Sequence, residues 1–190
     1  MKIMRTKNII LTTLAFSALT ACVQVPQEAP KRDNQLAISS VRDMPTRYAQ
    51  GSTFELSPKY VKETSLKPEQ TQNVYKRYAN QIISNLQSNG FAYSNGNQPA
   101  VFHVGFGVAL ADDLTDDTIS EKFGITPGLQ PSNELAKGSF LIYIDDATSG
   151  KRVWRGAVQG FVQEKLTPEQ REQRTAHIVK LVLSQFYAKN

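Results

Sequence analysis

The chain has one cysteine, two histidines and one tryptophan in 190 residues. A lone cysteine excludes a disulfide framework and any cysteine-rich metal or iron–sulfur site. Two histidines leave no multi-histidine metal centre. Long hydrophobic runs are also scarce, and a mean hydropathy of −0.37 excludes a multi-span membrane protein. No phosphate-cradling glycine loop and no Gly-x-Ser-x-Gly nucleophile motif occurs. What remains is a chain with 40% hydrophobic and 21% charged residues, enough for one packed domain plus a tail.

The formal charge of +5 is concentrated at the start. Three of the 22 basic residues, Lys2, Arg5 and Lys7, lie in the first 21 positions, where there is no acid; without them 19 basic residues face 17 acidic ones, or +2. So balanced a chain does not read as a nucleic-acid binder, which concentrates basic charge on one face.

Those three cations precede an apolar stretch from Ile9 to Leu19. It is shorter than the roughly 20 residues of a membrane-crossing helix and has the length and flanks of a secretory signal. It stops at Leu19-Thr20-Ala21-Cys22, which resembles the lipobox of bacterial lipoproteins: a leucine and small residues before a cysteine. Small residues let the backbone enter a peptidase, Ala21 flanks the cut, and the Cys22 thiolate accepts a diacylglyceryl group as a thioether. Each buried methylene contributes about 0.8 kcal/mol, so two or three acyl chains, palmitate among them, hold such a protein on a bilayer. Val23, where an aspartate would signal inner-membrane retention in enteric-type bacteria, points to an outer-membrane lipoprotein facing the periplasm.

The expected organisation is a signal peptide over 1–21, a lipidated N-terminus and flexible tether over 22–44, and one domain over 45–190. The tether carries Pro26 and Pro30 among polar residues. Gln35–Val41 is open to a second reading as the first strand.

Inside the domain, Pro68 opens a helix whose apolar stripe is Val74, Tyr78, Ile82 and Leu86, and Asn89-Gly90 closes it. Thr167-Pro168-Glu169-Gln170 opens another, with a capping box and a stripe of Ile178, Leu181, Val182 and Phe186. Residues 101–108 alternate, with Phe102, Val104, Phe106 and Val108 on one side and His103, Gly105 and Gly107 on the other. Phe140–Ile144, an Asp-rich turn and Lys151–Val158 form a hairpin. Thr53–Leu56 and Phe91–Tyr93 read as further strands. The expected fold class is α+β, an antiparallel β-sheet with two helices packed on one face.

The helix end at Leu86, Gly90 and Phe91, followed by Gly138-Ser139-Phe140-Leu141-Ile142-Tyr143-Ile144-Asp145-Asp146-Ala147-Thr148-Ser149-Gly150-Lys151-Arg152-Val153-Trp154-Arg155-Gly156, resembles the bacterial envelope lipoprotein family known as domain of unknown function 4136. The resemblance spans roughly residues 45–188. It implies a compartment and an architecture, with no activity and no catalytic residue to transfer.

Candidate chemistry is sparse. Asp112, Asp113, Asp116, Asp117 and Glu121 are a calcium candidate, but the glycine of an EF-hand loop is absent, and a helical face or solvated loop explains the spacing. Asp145 and Asp146 are candidates for paired acid–base carboxylates, but the start of a turn explains them more cheaply. His103 and His177 are the two histidine bases on offer. Gly105, Gly107, Gly156 and Gly160 suggest a thinly covered sheet face opposite the helices. His103, Gly105, Gly107 and Arg155 are therefore the expected binding face, with Trp154 a core anchor. The expected function is non-enzymatic binding of another envelope component, a protein partner above all. The alternatives are an amphiphile- or lipid-binding envelope domain, or a periplasmic hydrolase using His103 and an aspartate. No catalytic residue, metal or cofactor is assigned.

Overall fold

The computed structural model describes residues 32–57, 67–110 and 115–188. Ala21, Cys22, Asp112 and Asp113 lie outside them. The described chain forms a six-stranded sheet in the order β1-β6-β5-β4-β2-β3 with three α-helices. The strands are β1 (Leu36–Arg42), β2 (Thr53–Leu56), β3 (Ala92–Tyr93), β4 (Phe102–Leu110), β5 (Lys137–Asp146) and β6 (Arg152–Phe161). The helices are α1 (Pro68–Ser88), α2 (Asp116–Phe123) and α3 (Pro168–Tyr187). The α+β class stands.

Local chemistry fixes the helix ends. The Thr167 hydroxyl accepts from the Gln170 N–H at 3.2 Å, and the Gln170 side chain accepts from the Thr167 N–H at 2.9 Å, which satisfies two otherwise orphaned donors of α3. In α1 the Gln70 side chain accepts from the Lys67 N–H at 3.3 Å. Both stripes face the sheet: Tyr78, Ile82 and Leu86 from α1, and Ile178, Val179, Val182, Leu183 and Phe186 from α3, meet Phe102, Val104, Phe106, Phe140, Ile142, Ile144 and Trp154. Trp154 is 1% exposed, with its ring 5.5 Å from that of Phe186, as a core anchor should be.

Three features differ from the expectation. First, the sheet is mixed: β4, β5, β6 and β1 pair antiparallel, but β2 runs parallel to both β4 and β3. The connection from β2 passes through α1, and a strand–helix–strand crossover returns the chain in the same direction. Second, the stretch left between tether and strand is a strand. β1 pairs with β6 from Leu36↔Gly160 to Arg42↔Trp154, so the domain begins before residue 45. Leu36 and Ile38 fall on the helix face and pack against the core. Third, α2 and the segment after it lie on the other face of the sheet. There Ile119, Ile125 and Phe123 pack on Ala109, Leu141 and Ala157 in a separate apolar cluster.

Candidate functional site

The four residues expected to form a binding face lie on one side of the sheet, but Gly107 is buried, in register with Leu141 beneath the α2 cluster. His103, Gly105 and Gly107 of β4 and Arg155 of β6 lie on the side away from α1 and α3. Half of that side is not open, because α2 and Ile125–Leu129 cover it. A polar band remains on the other half. His103 sits in register between Glu55 of β2 and Asp145 of β5. The Tyr143 ring lies over Gly105, where an added Cβ would come within 2.0 Å of Tyr143 Cζ. Arg152 stacks its guanidinium 4.0 Å from the Tyr143 ring centroid and donates from Nε to Asp145 Oδ1 at 3.0 Å. Arg155 reaches Asp43 at 2.9 Å and runs beside Gly124, the left-handed C-cap of α2. These partly exposed pairs contribute little to stability, about 0–1 kcal/mol each.

The other two glycines belong elsewhere. Gly156 and Gly160 share the alternation of Trp154 and Val158 and therefore face the helices. A Cβ on Gly156 would meet Trp154 and Val182 at 2.6 Å, so this glycine admits α3 and the indole. Gly160 pairs with Gly138 across β5 and β6 beneath the helix layer; Leu36 packs over Gly160, and Gly138 has nothing closer than 3.5 Å to an added Cβ. Above this pair is a cavity of about 250 Å³, walled by Val74, Tyr78, Val108, Phe140, Val158 and Ile178, with Arg77, Arg171 and Arg174 also on its lining. Burial pushes the Tyr78 hydroxyl up to about 12, against the pull of Arg174 and Arg77. Sequence reasoning had the signal, Gly138 and Gly160 at strand positions, but pairing was needed to bring them side by side.

Of the described acidic candidates, Asp116 and Asp146 make structural contacts, while Asp117 and Glu121 are exposed. Asp116 accepts from Lys137 Nζ at 2.6 Å and from Gln159 Nε2 at 2.5 Å. Burial opposes its charge, but the Lys137 and Gln159 hydrogen bonds and the Lys137 charge outweigh it and hold the carboxyl below its ordinary value. Gln159 is fully buried and also accepts from the Leu129 N–H at 3.1 Å, which pins the segment after α2 to the sheet. Asp146 accepts from the Ser149 N–H and hydroxyl, both at 2.8 Å, as the first residue of a turn does. Those bonds hold its carboxyl low as well. Among the described residues no group of three or more His, Cys, Asp or Glu side chains is placed to hold a metal. His177 is exposed on α3, on the opposite side of the sheet from His103, so the two histidines do not converge.

A family model described as Domain of unknown function (DUF4136) matches residues 40–186. No curated protein matches the chain. Among solved structures, the chain is similar to a DUF4136 family protein from Bacteroides thetaiotaomicron, at 14% identity and a TM-score of 0.51, over 82% of this chain and 97% of that one. It is also similar to a PDZ domain protein from Parabacteroides distasonis, at 11% identity and 0.52, where 82% of this chain covers 37% of the larger protein. A third similarity is to a PelC dodecamer from Paraburkholderia phytofirmans, at 10% identity and 0.50, over 82% and 100% of the two chains. At these identities the similarity is one of fold.

Proposed function

The chain belongs to the DUF4136 family, and on that premise we propose that it is a non-enzymatic envelope lipoprotein, moored to the outer membrane through acylated Cys22, whose domain binds another envelope component on the Tyr143–Arg152 band. One observation carries the mooring: a basic start, an apolar stretch of signal length and Leu19-Thr20-Ala21-Cys22 stand in register. The domain follows soon after, since a helical turn at Arg32–Asn34 held by Gln163 precedes β1, and about 9 residues of tether give a root-mean-square reach of roughly 17 Å. That distance keeps the domain close to the surface that holds it.

Binding is favoured over hydrolysis because the carboxylates beside His103 are committed. Asp145 is held by Arg152, while Glu55 accepts from the Gly96 N–H at 2.9 Å and the Ser94 hydroxyl at 3.4 Å. A general base needs an orienting partner free to serve it. An aromatic ring with a guanidinium stacked on it, by contrast, is the kind of anchor on which binding energy concentrates.

The test places a photo-crosslinking residue at position 143 or 152 and, as control, at the exposed Lys180 of α3. In intact envelopes a discrete adduct is expected from the first two positions only. Equal adducts from position 180, or none from any position, would contradict the assignment of the band. His103→Gln, which removes the base and keeps a polar side chain in the band, should leave the cellular phenotype unchanged; its loss there would return the hydrolase reading.

A further inference from the structure

From the cavity above Gly138 and Gly160 we infer a binding site for the acyl chain of a single-chain anionic amphiphile. This deepens the envelope reading and rests on it for the source of the ligand, the membrane surface. The site is built by omission. Phe140 and Val158 continue the helix face of β5 and β6; at the next positions Gly138 leaves room under the helices, with nothing closer than 3.5 Å to an added Cβ, while Gly160 lets Leu36 and Arg174 close in beside it. The space left is lined mainly by carbon, at about 250 Å³. Pockets that enclose drug-sized ligands run to about 300–1,000 Å³, so this one suits a short chain or the end of a longer one.

Its polar lining selects the head group. Arg77 is neutralised by Glu172 at 3.1 Å. Arg174 donates to the Phe161 carbonyl at 3.0 Å, and Arg171 to the Glu164 and Leu166 carbonyls at 2.6 and 3.1 Å. Neither of these two guanidiniums has a carboxylate within ion-pair distance among the described residues; Asp33 acts on Arg174 only from farther away. Two cations satisfied by neutral carbonyls beside an apolar, half-open cleft suit a carboxylate or phosphate head with a hydrocarbon tail.

The route of the chain gives the cavity its orientation. Gln163, which lines it, donates to the Asp33 carbonyl at 2.9 Å and to Asn34 Oδ1 at 2.8 Å. The described chain therefore starts beside the cavity. Nine residues lie between Cys22 and Arg32, a span of at most about 35 Å. An anchor at Cys22 would hold this side of the domain toward the bilayer, where single-chain amphiphiles partition.

The experiment uses the full acylated chain in phosphatidylcholine vesicles, with decanoate as the probe and decanol as its neutral counterpart. Trp154 fluorescence reports the unfolding midpoint, because it is the single tryptophan and lies in the core. Decanoate is expected to raise the midpoint saturably, and decanol to act at least tenfold more weakly. Gly138→Val should abolish both shifts, since a Cβ there meets nothing closer than 3.5 Å and the added branches enter the cavity. Val74→Phe closes the same space from α1, should the strand variant fail to fold. Arg174→Gln should bring decanoate to the level of decanol. No saturable shift, or an unchanged shift in both cavity-filling variants, overturns the site. A shift seen only with the unacylated Cys22→Ser chain overturns it too, because the protein's own lipid would then be the occupant. The envelope reading fails separately: a chain that proves unacylated still reports whether decanoate binds.

Discussion

At Gly138 and Gly156 the same added methyl group has opposite consequences. A Cβ at Gly138 meets Val162 at 3.5 Å, an ordinary contact, whereas one at Gly156 is driven to 2.6 Å from both Trp154 and Val182. Gly156→Ala should therefore destabilise the domain by about 1–3 kcal/mol, the usual penalty of overpacking. Gly138→Ala should be close to neutral. Denaturant unfolding followed at Trp154 separates them, and equal losses would contradict the packing described. These glycines also show how far single residues are legible. Their presence in strands flags close approach, and alternation along β4 places Gly105 and Gly107 correctly opposite Phe106. What approaches each one is decided by the neighbouring strand. Tyr143 covers Gly105 only because β5 pairs with β4 in that register.

Among the elements, α1, α3 and the β5–β6 hairpin are plain in the sequence, because each carries a long apolar period and its own start or stop chemistry. Helix α2 is not. It has eight residues and one buried side chain, Ile119, too few for a period. Its signals are the Thr115 cap, the Asp116-Asp117 start and Gly124 at the end, and they are visible only to a reader looking for a short helix. Beside the apolar cluster around Ile119, its attachment includes the polar contacts of Asp116 with Lys137 and Gln159, and these make it sensitive to acid. The Asp116 carboxyl is held below its ordinary value in the folded state, so its contribution is fully present above about pH 3.9. It is lost as pH falls through the lower folded value. The methyl resonances of Ile119 and Ile125 should shift toward unpacked positions under acid before those of Ile82 and Val182 do. Asp116→Asn should show that loosened state at neutral pH. Simultaneous loss of all four signals in the wild type would contradict a separately pinned element.

As a whole molecule, the protein is a sheet with unequal faces: one sealed by two long helices except at the Gly138–Gly160 corner, the other half covered by α2 and half lined by the His103–Arg155 band. The antiparallel body was legible from alternation. The parallel β2–β4 pairing joins residues 48 positions apart, as in Phe54↔Phe102, and the place of β1 at the far edge joins residues more than a hundred apart, as in Ile38↔Val158. No local pattern reports such contacts. The candidate site was legible in its residues and not in its shape, because cover and cavity arise only when the helices are laid on the sheet. Everything proposed for the molecule in its cell depends on the one cysteine. The direct measurement is the intact mass and first residue of the protein extracted from envelopes. The account predicts a chain starting at Cys22, heavier than its sequence by a diacylglyceryl group, and unlabelled by palmitate once Cys22→Ala is made. A chain that keeps Met1 and carries no acyl group would contradict it.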